Sequence, residues 1–269
     1  MVEPVTTVGL GAVLAYLTKD GLAKLLGPTA EYLGDGLKDF TKRRGENINR
    51  ILQKATEKLG SRIDTPGEVP PRVLKVVLDE GSFCDDELAA EYFGGVLASS
   101  RTELGRDDRG ARIAKILDGL STYQIRAHYL IYATVKQVFA TANLSLNREG
   151  RANLAIFLPF DSFIGSMDFN EGERQKLPQF LTHIFFGLAA EDLIESGFWM
   201  FGPRENIVEM FRDAPGPGIV CQPTAMGAEL FLWGFGCGDK QLDCIFDSSF
   251  SSAVKNLPLS VAGACAVNK

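Results

Sequence analysis

Apolar residues recur every three or four positions through most of the chain before residue 142, a spacing typical of amphipathic helices. In residues 45–59, for example, Ile48, Ile51 and Leu59 fall on one helical face. A chain of 269 residues is also long enough to bury a large hydrophobic core. The sequence therefore predicts a mainly α-helical fold for this part of the chain.

The pattern changes after residue 142. Residues 143–173 are predicted to be loop-like apart from one short apolar run, and a strong helix is predicted from Pro178 to about Gly197. Residues 198–201 and 219–222 then predict the two strands of a small β-hairpin, and a last helix follows. The predicted fold class is therefore mainly α: a helical N-terminal region followed by a winged-helix-like α+β region with a small β-hairpin.

A stretch rich in Pro and Gly at residues 64–71 marks the first predicted boundary in the chain. Residues 1–64 are predicted to form N-terminal amphipathic helices, and residues 65–142 a helical domain. The winged-helix-like region is assigned to residues 143–238, and residues 239–269 are assigned to a C-terminal tail.

The charge of the chain is unevenly distributed. Residues 1–62 contain ten Lys or Arg and seven Asp or Glu, a balance of +3, whereas the whole chain carries −6. The remaining residues therefore carry −9, which argues against binding nucleic acid through a general positive field. A basic segment on an acidic body is consistent with a solvated helix face or with contact to an anionic surface.

The N-terminal region carries the candidate membrane or partner surface. Its first apolar run, residues 5–26, is interrupted by three charged residues, and the uninterrupted piece from Val5 to Leu17 is too short to span a membrane. The run can pack on the core, on a partner protein or on a lipid interface, and the sequence leaves these alternatives open. Basic side chains that follow the run would favour an anionic membrane surface. The residues of this candidate surface are Leu10, Leu14, Leu17, Arg43, Arg50, Lys54 and Lys58.

No group of residues in the sequence predicts catalysis or metal binding. The five cysteines lack the paired spacing of zinc sites, and residues 234–238 lack the flanking strand and helix of a phosphate-binding loop. His183 lies in an apolar helical pattern, which predicts a packed imidazole rather than a catalytic base. We therefore predict no enzyme activity, no cofactor, and no catalytic or metal-binding residues. Cysteine usage and the lack of a secretory signal pattern predict a cytoplasmic protein, with peripheral membrane association as the alternative.

The predicted winged-helix-like region lacks a basic helix that could face DNA. Residues 179–196 contain no Lys or Arg and three acidic residues, so specific nucleic-acid binding is not predicted. The wing would instead serve packing or protein contacts. Trp199 and Phe201 are the candidate wing contacts.

Six short segments occur in a fixed order over about residues 28–235. They are EVPPRVL (68–74), CDDEL (84–88), VLASS (96–100), ILDGLS (116–121), LIESG (193–197) and PTAMGAELF (223–231). Together they resemble the abortive-infection alpha family, a group of bacterial proteins linked to phage defence. The chain departs from the family pattern at Gly94 and Gly95, where a polar residue commonly precedes the Leu97–Ala98 step. The resemblance implies a role in anti-phage immunity beside a second component of the same operon, and it supplies no catalytic residues.

These observations predict a non-enzymatic sensor or adaptor in bacterial anti-phage defence that binds a protein or a lipid surface. A membrane-perturbing defence effector is the alternative, and a winged-helix transcriptional regulator is the third hypothesis. The expected partner is a second defence-operon protein or a phage component. An anionic membrane surface and a second copy of the chain are further candidate partners.

Overall fold

A computed structural model describes residues 34–140, 145–146, 148–151, 153–201 and 216–267 of the chain. Its mainly helical character confirms the coarse prediction from sequence. The helices of the first part are α1 (Gly34–Leu59), followed by a 3₁₀ turn (Gly60–Asp64), α2 (Pro71–Gly81), α3 (Glu87–Ser100), α4 (Arg109–Asp118) and α5 (Thr122–Val138).

Local sequence signals determine where several of these helices begin. Pro71 is the first residue of α2, where the fixed φ of proline suits a helix start and no amide hydrogen is needed. At the start of α3, the Asp86 carboxylate accepts a hydrogen bond from the Ala89 amide (2.8 Å). Ser121 and Gln124 form the capping box that the sequence predicts at the start of α5.

Short helices and strands follow in the second part of the chain. In chain order they are α6 (Arg148–Arg151), β1 (Ile156–Pro159), α7 (Phe160–Ser166), α8 (Glu171–Arg174), α9 (Leu177–Ala190), β2 (Trp199–Phe201), β3 (Gly218–Cys221), α10 (Ala225–Gly234), a 3₁₀ turn (Leu242–Phe246) and β4 (Cys265–Ala266).

The four strands form one small antiparallel sheet with the order β2-β3-β1-β4. Trp199 of β2 lies opposite Val220 of β3, so the predicted antiparallel pair is confirmed. The sheet also contains β1, where the sequence analysis assigns no strand, and Phe157 of β1 lies opposite Val220 on its other side. Residues 156–158 are buried on both faces of the sheet, and a short continuous apolar run of this kind is typical of a buried strand.

One contiguous cluster of buried side chains extends through the described chain. It includes Ile51 of α1, Phe231 of α10 and Val261 near the C-terminal end. A smaller cluster covers the other face of the sheet and consists of Ala155, Phe157, Val220 and Val267. Residues from the predicted tail at 239–269 therefore contribute to the buried interior.

The helix α3 lies almost entirely inside the protein, since every residue from Leu88 to Ser100 is buried. Two consecutive glycines let other helices approach its backbone. A Cβ at Gly94 would lie 2.8 Å from the carbonyl oxygen of Ile51 in α1. A Cβ at Gly95 would overlap the carbonyl oxygen of Gly234 in α10. Two helices are thus packed against adjacent positions of α3, and neither position has room for a side chain.

We expect Gly95→Ala to lower the free energy of unfolding by about 3 kcal/mol, the upper end of the cost of overpacking, because the new methyl group meets backbone rather than a movable side chain. Gly45→Ala is the matched control, because Gly45 lies within α1 with no other atom near its missing Cβ. That change should raise the free energy of unfolding by about 0.5–1 kcal/mol through helix propensity. Chemical unfolding followed by circular dichroism measures both values. Similar stability of the two variants would contradict the close crossing at α3.

Candidate functional site

The residues of the predicted basic surface lie in different environments in the structure. Leu10, Leu14 and Leu17 lie outside the described residues. Arg43 is exposed on α1. The side chain of Arg50 is half-buried, and its guanidinium donates a hydrogen bond to the backbone oxygen of Asp85 (2.8 Å). Of the described basic residues that the sequence analysis assigns to this surface, Arg43 is thus the one that points to solvent.

The two lysines of the predicted basic surface face α3. Lys54 Nζ lies 3.0 Å from a carboxylate oxygen of Glu87 and 3.0 Å from one of Glu91. Lys58 Nζ forms an ion pair with the other carboxylate oxygen of Glu91, and it also lies over the Phe235 ring. The side chains of Lys58 and Glu91 are 11% and 9% exposed, so this pair is largely removed from water.

Electrostatics in this cluster favour the charged form of Lys54. Burial alone would lower the pKa of Lys54, but hydrogen bonds to Glu87 and Glu91 outweigh it and raise the pKa above its usual value. The cluster holds α1 against α3, and its chemistry is that of a structural ion pair. The sequence analysis assigns these lysines to a solvated helix face or to contact with an anionic surface, because their partners lie on another helix, more than 30 positions away.

We expect Lys58→Glu to lower the free energy of unfolding by about 3–5 kcal/mol, because the buried Glu91 carboxylate would lose its counter-charge and face a second carboxylate. Arg43→Glu reverses an exposed charge on the same helix and should change stability by less than about 0.5 kcal/mol. Urea unfolding of both variants measures the difference. If Lys58→Glu were as stable as Arg43→Glu, the ion-pair cluster would not hold α1 in place.

An aromatic surface lies where α9 meets β2, and we define it as Phe186 and Phe198. Phe186 is 60% exposed. The rings of Phe186 and Phe198 meet edge to face, with centroids 5.2 Å apart. Phe198 also contacts the fully buried ring of Phe185 (5.6 Å), which anchors the surface to the core. Trp199 is 43% exposed and lies opposite Val220, which packs on the other face of the sheet, so Trp199 and Phe198 lie on different faces.

The exposed aromatic residues are predicted in part from the sequence. Trp199 is one of the two predicted wing contacts, and the side chain of the other, Phe201, lies outside the described residues. The sequence analysis does not name Phe186 as a candidate. The buried face of α9 consists of Leu181, Ile184, Phe185 and Leu188. Phe186 lies about 100° from Phe185 around the helix, and this offset was the available signal.

Three acidic residues lie on the loop that joins α9 to β2. Glu191, Asp192 and Glu195 are all exposed. None of their carboxylates lies within ion-pair distance of a basic side chain in the described part of the chain. α9 itself contributes no Lys or Arg. These carboxylates add negative charge to the surface beyond the C-terminal end of α9.

The two histidines occupy opposite environments. His128 is fully buried, and its Nε2–H donates a hydrogen bond to the carbonyl oxygen of Gly227 (3.0 Å). The tautomer is thereby fixed, so that Nδ1 accepts a hydrogen bond from the Tyr92 hydroxyl (2.9 Å). His183 is exposed rather than packed as predicted, and its Nε2 lies 2.9 Å from Ser121 Oγ. It lies outside the buried face of α9, which explains the difference.

A surface cleft of about 350 Å³ lies beside the C-terminal end of α1. The guanidinium of Arg101, which lines this cleft, donates hydrogen bonds to the carbonyl oxygens of Arg62 (2.8 Å) and Thr65 (2.5 Å). These carbonyls end a helical segment, so the cation compensates the negative end of the helix dipole. Helix termination thus accounts for the positive charge in the cleft.

Within the described ranges, no three His, Cys, Asp or Glu residues are arranged to hold a metal ion. The same ranges contain no helix that combines the length and the apolar character needed to cross a membrane. No family model, curated protein or solved structure matches this chain.

The buried imidazole of His128 predicts a pH dependence of stability. Burial lowers the pKa of His128 to about 3, whereas an unfolded histidine binds a proton near its ordinary value of about 6.5. Between these values the unfolded chain binds the additional proton, so stability falls as the pH falls. We expect a loss of about 1 kcal/mol per pH unit between pH 6 and pH 5 from this group, measured by urea unfolding.

Two variants isolate this contribution. His128→Gln should flatten the dependence on pH between pH 6 and pH 5, even if its overall stability is lower. His183→Gln, which replaces the exposed imidazole, should keep the pH dependence of the unfolding free energy that the wild-type protein shows. An unchanged slope in His128→Gln would show that another group titrates.

Proposed function

We propose that the protein is a non-enzymatic sensor or adaptor in bacterial anti-phage defence, and that it binds a partner protein through exposed aromatic residues. The observation that carries the binding role is the exposure of two large aromatic side chains, Phe186 and Trp199. The defence role rests on the resemblance to the abortive-infection alpha family. The partner would be a second component of the same operon or a phage protein.

Charge placement favours a protein over a lipid as the binding partner. Lys54 and Lys58, two of the cations proposed to meet anionic lipid, are paired with Glu91 inside the protein. Three exposed carboxylates adjoin the aromatic surface and would repel an anionic headgroup. Both features weaken lipid binding through these residues, while neither opposes a protein partner.

A winged-helix-like arrangement remains part of the proposal. The succession of α9, β2, β3 and α10, with β2 and β3 antiparallel, supports it. Such a region would present Trp199 on its wing. The lack of Lys and Arg in α9 opposes the transcriptional regulator, because a recognition helix needs basic or amide side chains toward the groove.

The membrane-perturbing effector is the second candidate function. The apolar run at residues 5–26 favours it, since that run precedes the exposed Arg43. In that case the aromatic surface would be dispensable for defence, and lipid vesicles would replace the partner protein.

Phage infection of cells that express the operon tests the proposal. We expect the double variant Phe186→Ser and Trp199→Ser to lose at least about tenfold of the protection, a change that corresponds to about 1.4 kcal/mol of partner binding. Truncating exposed aromatic anchors commonly costs more than that. Plaque counts at equal protein level give the measurement.

Leu104→Ser is the matched control, because Leu104 is an exposed apolar residue on a different loop. It should protect like the wild-type protein. Full protection by the aromatic double variant would contradict the adaptor role of the exposed aromatic residues. Leakage of anionic vesicles that Arg43→Glu abolishes would instead support the membrane-perturbing effector.

A further inference from the structure

A serine and a histidine meet where the start of α5 contacts α9. Ser121 Oγ lies 2.9 Å from His183 Nε2, which is a hydrogen-bond distance between a hydroxyl and an imidazole. His183 is exposed and Ser121 is half-buried, so small reagents in solution can reach both side chains. A serine within hydrogen-bond reach of a base is the arrangement that activates this side chain as a nucleophile.

The hydrogen bonds around Ser121 favour transfer of its proton to His183. Ser121 Oγ accepts a hydrogen bond from the Gln124 amide (3.3 Å), and its own hydrogen remains to be donated. His183 Nε2 accepts that hydrogen when the imidazole carries its hydrogen on Nδ1. In this tautomer the imidazole can remove the hydroxyl proton as a general base.

The side chain of Gln124 connects the backbones of the two residues. Its Oε1 accepts a hydrogen bond from the Ser121 amide (2.8 Å), and its Nε2 donates one to the His183 carbonyl oxygen (3.1 Å). Gly187, one turn further along α9, leaves space for this side chain, since a Cβ there would overlap Gln124 Nε2. Gln124 is buried, so this connection lies inside the protein. The serine and the histidine are therefore positioned before any reagent binds.

Two backbone amides beside Ser121 are available to a ligand. The amides of Thr122 and Tyr123 belong to the first turn of α5, where a helix provides no acceptor of its own. Neither amide donates to another group in the described part of the chain. Amides in this position stabilise the negative charge that develops on the oxygen of an acyl group under attack.

We propose that Ser121 is a nucleophile that accepts an acyl group from an activated ester or thioester, with His183 as its general base. The Ser121 oxygen bonds to the acyl carbon while His183 Nε2 takes the hydroxyl proton. The bond between the acyl carbon and the leaving group then breaks, and His183 returns the proton to the departing alkoxide or thiolate. The products are an ester on Ser121 and a free alcohol or thiol, so the step needs no oxidant or reductant.

This modification site is separate from the exposed aromatic residues Phe186 and Trp199 and does not depend on the proposed function. The sequence analysis predicts no reactive residue here, because it predicts a packed imidazole at His183. A single acyl transfer to the protein's own serine modifies the chain without turnover, so it is compatible with a non-enzymatic sensor or adaptor.

Mass spectrometry after brief treatment with p-nitrophenyl acetate tests the proposal. We expect Ser121 to be acetylated at least about 100-fold faster than Ser249, since a positioned general base contributes a factor of this size or more. Ser249 is the internal control, because it is exposed and neither imidazole of the chain is hydrogen-bonded to it.

Three variants separate the chemistry from the stability of the helix. His183→Gln removes the base, so acetylation of Ser121 should fall at least about 100-fold. Thr182→Gln introduces the same side chain at the adjacent exposed position and should leave the rate unchanged. Ser121→Asp keeps an oxygen that caps α5 but removes the nucleophile, so the peptide that contains residue 121 should carry no acetyl group. Circular dichroism checks that each variant is folded.

The other outcomes count against particular statements. If Ser121 reacts no faster than Ser249, or if folded His183→Gln reacts like the wild-type protein, the contact is a helix cap only and the proposal is overturned. If Ser121 is acetylated as expected but is then hydrolysed with continued release of p-nitrophenolate, the nucleophile is confirmed and the non-enzymatic role fails. Full phage protection by Phe186→Ser with Trp199→Ser would contradict the adaptor role and leave the acylation of Ser121 standing.

Discussion

The contact of helix backbones at Gly94 and Gly95 is the constraint on which the rest of the structure depends. These two adjacent positions of α3 face α1 and α10, and a side chain at either position would meet backbone atoms. A side chain at either position would push away one of the two helices, so close packing around α3 depends on both glycines.

The two helices that pack against these glycines have separate consequences. On one side, α1 places Lys54 and Lys58 against Glu91, which removes these cations from the surface. On the other side, α10 begins at Thr224, whose hydroxyl caps the helix and donates to the Asp192 carbonyl oxygen. The position of the acidic loop is thereby tied to the core through α10. Hydrogen bonds from His128 to Gly227 of α10 and from Tyr132 to Leu193 connect α5 to the same region.

Local signals in the sequence predict local structure well. The spacing of apolar residues gives the helices, Ser121 and Gln124 give a helix start, and the pairing of the strands around Trp199 and Val220 is predicted correctly. Long-range pairing is harder to infer. The strand at 156–159 pairs with residues about 60 and 110 positions further along the chain, and nothing in its neighbourhood indicates either partner.

The residues of the candidate site show the same difference between local and long-range signals. Trp199 is found from sequence because it lies in a short predicted strand beside a turn. Phe186 is not among the candidate residues, and His183 is predicted to be packed, because α9 is apolar enough to hide which of its residues face the core. The pairing of Lys54 and Lys58 depends on how α1 crosses α3, and the spacing of charges within α1 carries no information about that crossing.

Hydrogen exchange of the whole protein tests the central claim most directly. The account predicts slow exchange throughout α3, because its amides open only with the core. It predicts faster exchange of α3 in Gly95→Ala and no faster exchange in Gly45→Ala. Fast exchange of α3 in the wild-type protein, or equal exchange of α3 in the two variants, would contradict the account.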